Sequence, residues 1–310
     1  MNTFIRAAEV WLPSADRSLL EFGGGAYAAV PYFGAVSRSL CFGRGEGLPG
    51  RAWEEGHPIV LQRFDGTYFL RIVAAHAAGL TCAIAVPTFN GGELSAVLVL
   101  FCGDRSRQAG AIELWRNDPR VASDMTLVDG YYGAASDALQ AVSRDTSLPR
   151  GTGLPGLAWQ RTESVFMDDV TRSSRFLRAE SAAVAGIDRG LAIPCDSQGH
   201  ASYVLTLLSS AESPLAARIE SWVPTPDGSA LQRRYGHCEI AGPLPPETLP
   251  LHHAGAVGVA YAERRPVIRT AFGTEPAALV RSAVEARLSA LVALPVVTDG
   301  QVSEVVVLYS

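Results

Sequence analysis

The sequence predicts an α+β protein built from three tandem domains, each an antiparallel sheet with helices packed on it. Two observations carry this prediction. The chain has 310 residues, more than the size at which single hydrophobic cores stop growing. In addition, several short sequence blocks recur three times in the same order, as internal repeats do.

The first block is an acidic residue two positions before a tryptophan, and the second is a glycine-rich loop that ends in an aromatic residue. Because their spacing along the chain is nearly constant, chance similarity is a poor explanation. The acidic block occurs at Glu9–Trp11, Glu113–Trp115 and Glu220–Trp222. The glycine-rich loop occurs at Gly47–Trp53, Gly153–Trp159 and Gly255–Tyr261.

Two further blocks complete each repeat, an apolar segment that ends in arginine and an Ala-x-Pro segment. They occur at Phe69–Arg71, Phe176–Arg178 and Leu279–Arg281, and at Ala85–Pro87, Ala192–Pro194 and Ala293–Pro295. The repeats divide the chain into residues 1–105, 106–211 and 212–310. The third copy is the most divergent, since Ala256-Val257 replaces the Leu-Pro of the other glycine loops.

Each repeat is expected to end in a β-hairpin. In the first repeat, Leu80–Val86 and Glu93–Cys102 are apolar runs typical of buried strands. Asn90-Gly91 between them suits a tight turn, because both residues tolerate a positive φ. A short apolar segment, Ile59–Leu61, predicts one more strand earlier in the repeat.

A helix is expected between the short strand and the hairpin. Phe69, Ile72, Val73 and His76 recur at helical spacing, which predicts that this face is buried. Strands at both ends of the repeat and a helix between them favour an antiparallel sheet covered on one side.

Composition excludes several classes of protein. Hydrophobic residues make up 48% of the chain and charged residues 18%, as in globular proteins. A net charge of −5 without a Lys/Arg run gives no electrostatic footprint for nucleic acid. No signal peptide and no transmembrane helix are expected from the apolar patterning. The five widely spaced cysteines contain no C-x-x-C pair and favour reduced thiols in the cytoplasm.

The segment Gly45–Trp53 resembles the glycine loop of GAF domains. The segments after it are similar to that family too: a short strand, Phe69-Leu70-Arg71, an alanine-rich helix and a closing hairpin. The resemblance spans nearly all of the first two repeats and is weaker in the third. It implies three tandem GAF-like domains, a family of sensory modules that bind small molecules or mediate dimerisation.

The resemblance also implies a ligand pocket between the sheet and the helix and loops that cover it. The candidate pocket residues are mostly aromatic, with one histidine and two cysteines. They are Trp53, Tyr68, Phe69, His76 and Cys82 in the first domain, Trp159, Phe176 and Cys195 in the second, and Tyr261 in the third.

The recurring arginines Arg71, Arg178 and Arg281 are candidates for contacts with an anion or with a neighbouring domain. A guanidinium suits a carboxylate or phosphate. Arg71 follows Phe69 by two residues, about 200° around a helix. If Phe69 faces the core, Arg71 is expected to point away from it, which favours a salt bridge or an interdomain contact over a pocket.

We therefore predict a non-catalytic sensory or regulatory protein that binds a small molecule, a separate signalling protein, or both, with a homodimer as one arrangement. The cofactor is left unidentified, and no metal site is predicted, because the six histidines do not recur at matching positions. Two alternatives stay open. The first is a thiol-dependent reductase of free methionine sulfoxide that uses Cys41, Cys82 and Cys102, and the second is a ligand-free scaffold whose pockets are filled by side chains.

Overall fold

The computed structural model describes residues 3–27, 30–103, 110–133, 135, 137–298 and 300–310. Three antiparallel sheets follow one another along the chain, and each is covered by helices. This confirms the predicted α+β fold class. The expected boundary between residues 105 and 106 lies outside the described residues.

The strands of the first sheet are β1 (Ile5–Pro13), β2 (Leu19–Ala26), β3 (Cys41–Gly43), β4 (Ile59–Leu61), β5 (Cys82–Asn90) and β6 (Glu93–Cys102). Their order across the sheet is β3-β2-β1-β6-β5-β4. Its helices are α1 (Pro31–Ser37), α2 (Gly47–Glu55) and α3 (Ile72–Ala77). The strand expected at Ile59–Leu61 is confirmed. The turn of the last hairpin is centred on Gly91 and Gly92, both with positive φ, one residue later than expected.

The second and third sheets have the same strand order around their first and last hairpins. The second sheet contains β7 (Gly110–Asn117), β8 (Met125–Tyr131), β9 (Ser147–Leu148), β10 (Val165–Met167), β11 (Arg189–Cys195) and β12 (Ser202–Ser209), with helices α4 (Asp137–Asp145), α5 (Gly153–Arg161) and α6 (Ala179–Val184). The third contains β13 (Arg218–Pro224), β14 (Ala230–Cys238), β15 (Gly242–Pro243), β16 (Thr248–Pro250), β17 (Val267–Arg269), β18 (Leu291–Thr298) and β19 (Gln301–Tyr309), with helices α7 (Gly255–Glu263) and α8 (Ala277–Glu285).

The glycine-rich loop is the start of a helix in every copy. Its two glycines are required for different structural reasons. Gly47 adopts a φ of +58°, which side chains disfavour. At Gly50 an added Cβ would lie 2.0 Å from the carbonyl oxygen of Gly43, so only glycine fits. The corresponding glycines, Gly153 and Gly156, repeat both features. The loop therefore packs a helix closely against the preceding strand.

The expected buried face of the helix in the first repeat differs from the observed one. Helix α3 begins at Ile72, so Phe69 precedes it and does not share its periodicity. The helix buries Ala74 and Ala75, whereas Val73 is 80% exposed. A helical period counted from Phe69, which lies outside the helix, therefore predicts the wrong buried face.

The three sheets pack together through the faces that carry no helices. One central hydrophobic cluster includes Leu98 of β6, Leu205 of β12 and Val306 of β19. The opposite face of each sheet packs against its own helices in a separate cluster. The molecule therefore has one shared core and three outer cores.

Three seams connect the sheets in a closed triangle. In the first seam, β4 lies against β7 and β8. In the second, Phe166 of β10 stacks on Tyr235 of β14, and in the third, β17 lies against β1 and β2. Each seam thus joins the short edge strand of one sheet to the first hairpin of another. Among the described residues, no helix is long and apolar enough to cross a membrane.

Candidate functional site

The space between the second sheet and its helices contains a buried carboxylate. Glu113 on β7 accepts hydrogen bonds from Trp115 Nε1 at 3.0 Å, Tyr132 Oη at 2.9 Å and Ser143 Oγ at 2.9 Å. Arg178, directly before α6, donates both terminal nitrogens to the two carboxylate oxygens, with Nη2 at 2.8 Å from Oε2. A bidentate arginine contact of this kind is among the strongest side-chain interactions.

The ionisation of Glu113 follows from these contacts. Burial alone would raise the pKa of the carboxyl group, but the charge of Arg178 and the hydrogen bonds from Arg178, Trp115 and Ser143 lower it by more. The pKa of Glu113 therefore lies below its ordinary value, and the pair is buried as a charged pair.

The first sheet repeats this arrangement. Glu9 accepts hydrogen bonds from Trp11 Nε1 at 2.9 Å and from Tyr27 Oη at 3.0 Å. Arg71 Nη1 lies 2.5 Å from Glu9 Oε1 and also donates to Ser37 Oγ. Unlike Arg178, Arg71 contacts only one carboxylate oxygen of its partner.

The third sheet has the carboxylate but takes its guanidinium groups from other elements. Glu220 accepts a hydrogen bond from Trp222 Nε1 at 2.7 Å and one from Arg218 Nε at 2.5 Å. Arg233 Nη2 lies 3.6 Å from the same carboxylate, and Tyr309 Oη donates to it at 3.4 Å. Both arginines lie on strands, on β13 and β14.

Arg71 and Arg178 form salt bridges, as the sequence favoured, but on the side of the layer opposite to the expected one. Arg71 and Arg178 are 4% exposed and point into the interior of their own layer, not away from it. This is possible because each residue precedes its helix and is not bound by the helical angle to Phe69 or Phe176. Arg281 is exposed on α8 and does not contact Glu220, whose partners come from strands.

The three buried glutamates are not among the residues that the sequence analysis selects, although their position is marked in the sequence. Residues two apart on a strand project from the same face. The recurring Glu-x-Trp block therefore places an acidic group beside an indole N–H in every sheet. That signal was sufficient to predict a buried hydrogen bond.

The candidate pocket residues of the first sheet are divided between its two faces and the surface, with Trp53, Tyr68 and Phe69 in or against the outer cluster. Phe69 is buried among the helices, while Trp53 and Tyr68 are half-buried and Arg51 lies over the Tyr68 ring at 4.3 Å. His76 is exposed and pairs with Asp65. Cys82 lies in the central cluster on the opposite face of the sheet.

The candidates in the second sheet are divided in the same way, and the single candidate of the third lies against its outer cluster. Phe176 is buried beside Arg178, whose guanidinium carbon is 5.1 Å from the ring centre. Trp159 and Tyr261 are half-buried against their own clusters. Cys195 packs against the central cluster, and burial raises the pKa of its thiol to about 12.

Two thiols of the first sheet lie directly opposite each other. Cys82 on β5 is paired in register with Cys102 on β6, and both are 0% exposed. Cys41 is exposed on β3. A thiolate must reach its substrate to react, so reductase chemistry at the buried pair requires the central cluster to open. Within the described ranges, no group of three or more His, Cys, Asp and Glu side chains could hold a metal ion.

A cavity of about 210 Å³ lies at the third seam. It is situated where β1 and β2 of the first sheet face β19 and the segment before β18. Its apolar wall is made by residues of both sheets, including Ala8, Ala26, Leu100, Ala290, Val292 and Leu308.

The strand register explains why this seam has a cavity. Ala26 pairs with Ala8, the residue before the buried Glu9. The residue at the same register position is Tyr131 in the second sheet and His237 in the third. The third seam therefore has an alanine where the other two have a ring.

The contacts made across the seams also differ between the third seam and the other two. Tyr131 Oη donates to Thr81 Oγ1 at 2.9 Å in the first seam. In the second, Arg189 and His237 both lie within 4 Å of Glu239. The residue five positions before the recurring proline is Cys82, Arg189 and Ala290 in the three sheets. Large polar groups close two seams, while small residues leave the third open.

Comparison with known proteins gives structural similarity only. No family profile matches the sequence, and no curated protein matches it. An A. aeolicus GAF domain in an inactive state is 17% identical over 33% of this chain and 59% of its own, with a TM-score of 0.27. Free methionine-R-sulfoxide reductase from Neisseria meningitidis, in complex with its substrate, is 21% identical over 32% and 51%, with a TM-score of 0.24.

A further similar structure is the GAF domain of a Coxiella burnetii phosphoenolpyruvate-protein phosphotransferase, at 20% identity over 33% of this chain and 56% of its own, with a TM-score of 0.26. The chain spans between half and three fifths of these three solved chains. At this level of similarity, the function has to be argued from the site itself.

Proposed function

We propose that the protein is a non-catalytic sensory or regulatory protein of three tandem GAF-like domains, with boundaries near residues 105 and 211, which binds a small molecule at the third seam. The observation that carries the proposal is the cavity of about 210 Å³ between the first and third sheets. Concave, mostly apolar sites with a few polar groups are typical of small-molecule binding.

The filled interiors of the first two layers support a site at the seam. The resemblance to GAF domains implies a pocket between the sheet and the helices. In the first two layers that space is occupied by the ion pairs Glu9–Arg71 and Glu113–Arg178. A ligand entering there would have to displace a buried ion pair, which leaves an uncompensated charge. The seam cavity requires no such displacement.

The seam is also well placed to regulate. A ligand held by two sheets of one chain binds more tightly when those sheets keep their relative position, and it stabilises that position in return. A separate signalling protein or a second copy of the chain is the proposed reader of this change.

The test is native mass spectrometry of the full chain purified from its own cells, beside a denatured sample. We expect a small extra mass that is lost on denaturation. Ala26→Tyr, which introduces the residue found at the same position in the second sheet, should abolish it. Ala77→Tyr on the exposed end of α3 is the matched control and should retain it.

Because Ala26→Tyr could also disturb folding, Ala290→Val provides a second, smaller block of the same cavity. Retention of the same mass in both cavity variants would contradict the proposal, as would wild-type protein with no bound small molecule.

The second candidate function is a ligand-free scaffold, and the same buried ion pairs favour it. If no layer needs a ligand to complete its interior, the three sheets provide a rigid platform for a protein partner. The absence of any bound mass, together with unchanged stability in the cavity variants, would support the scaffold over the sensor.

A further inference from the structure

The charges around the seam cavity point to the class of its ligand. Two arginines, Arg6 and Arg287, line it, and no Asp or Glu side chain among the described residues does. The chain as a whole carries a net charge of −5, so a cavity with only basic charged side chains is not a consequence of composition.

Arg287 is unusual in its backbone conformation. It adopts a φ of +56°, and the equivalent residues after the corresponding helices are Gly79 and Gly186. A left-handed conformation disfavours residues with a Cβ by about 1 kcal/mol or more relative to glycine. The third repeat thus holds an arginine at a position where the other two have glycine, and this arginine faces the cavity.

Apart from Ser310, the neutral polar side chains that line the cavity already donate their hydroxyl protons within the protein. Thr3 Oγ1 donates to the carbonyl oxygen of Ile5 at 2.7 Å, and Ser289 Oγ donates to that of Ser310 at 3.2 Å. Tyr309 Oη donates to Glu220. The guanidinium of Arg287 is therefore the main charged donor that the lining offers to a ligand, and guanidinium favours anionic oxygens.

A neighbouring recess extends the same charge pattern. It shares Ser289 and Ala290 with the cavity and is lined in addition by Tyr27 and Arg38. The guanidinium of Arg38 lies 5.3 Å from the centre of the Tyr27 ring. The third seam therefore presents three basic side chains around an apolar interior.

We infer that the seam cavity binds a small amphipathic carboxylate, with its apolar body against the alanine-rich wall and its anionic group at Arg287. The inference rests on the proposed small-molecule function of this seam. An apolar cavity of about 150 Å³ holds benzene, so a cavity of about 210 Å³ suits a molecule of roughly ten non-hydrogen atoms.

The experiment is isothermal titration calorimetry on the full chain with two probes, 3-phenylpropanoate and its neutral analogue 3-phenylpropan-1-ol. We expect the carboxylate to bind at least about tenfold more tightly than the alcohol, a difference of about 1.4 kcal/mol. Arg287→Gln should weaken carboxylate binding about tenfold and change alcohol binding by less than about twofold.

Two further variants locate the effect. Ala26→Tyr should abolish binding of both probes. Arg161→Gln, an exposed arginine at the end of α5, is the matched control and should change neither affinity. A salt titration should weaken carboxylate binding more than alcohol binding, since only the first includes a charge interaction.

The possible failures are distinguishable. Equal binding of both probes, unchanged in Arg287→Gln but lost in Ala26→Tyr, would overturn the carboxylate and leave the seam as the binding site. Absence of binding for both probes would also overturn the inference, while the bound mass in native protein decides the proposed function separately.

Discussion

Three buried glutamates show how a charge in a protein interior is matched by whichever neighbour can reach it. Glu9, Glu113 and Glu220 occupy the same position beside a tryptophan. In the third sheet, Arg218 lies four residues before Trp222, where the first two sheets have alanine. The arginine that pairs with the glutamate therefore lies on a strand in the third sheet, whereas in the first two sheets it directly precedes a helix.

Removing one member of such a pair should be far more harmful than removing both. We expect Arg178→Met to lower the free energy of unfolding by about 3–5 kcal/mol, because Glu113 would be left buried without its partner. The double variant Glu113→Gln/Arg178→Met should lose less than the single variant. Urea unfolding followed by tryptophan fluorescence measures both, with the exposed Arg175→Met as control. Additive losses would contradict this account.

The same pair predicts a dependence of stability on pH. The pKa of Glu113 is lowered in the folded protein, so the unfolded chain takes up the proton more readily. The stabilisation is therefore complete above the unfolded pKa of about 4.3 and is lost as the pH falls through the folded pKa. Between about pH 5 and pH 3, wild type should lose more stability than the double variant. Parallel pH profiles would exclude this contribution of Glu113.

At the scale of elements, the glycine-rich loop gives a sharp prediction. Gly50→Ala places a methyl group 2.0 Å from the carbonyl oxygen of Gly43, so β3 and α2 must separate. We expect a loss of about 3 kcal/mol in the free energy of unfolding. Gly273→Ala is the matched control, because a Cβ there meets nothing within 4 Å and needs no positive φ. Similar stability of the two variants in thermal unfolding would refute the packing role.

The sequence was most informative for elements whose pattern is local. The strand at Ile59–Leu61 is predicted residue for residue, because a short apolar run reports local backbone geometry. Helix α3 was predicted with the wrong face, since its first turn begins after Arg71.

The sites were less predictable because they depend on contacts distant in sequence. Cys82 belongs to the central cluster because alternate strand residues face opposite sides, and no local pattern says which side a helix covers. The seam cavity requires the register of β2 and the packing of a third sheet against the first. The cavity becomes evident when Ala26 is compared with Tyr131 and His237, the residues at the same register position in the other two sheets.

At the scale of the whole molecule, the shared cluster should make the three sheets unfold together. Leu205 of β12 is fully buried in the cluster that also contains strands of the first and third sheets. Leu205→Ala should lower the free energy of unfolding by about 2–5 kcal/mol and should reduce hydrogen-exchange protection in β6 and β19 as well as in β12. Val142→Ala on the partly exposed helix α4 is the control and should affect protection little. A loss of protection confined to β11 and β12 would show instead that the sheets open independently, and the central cluster would then be an interface between separate folding units.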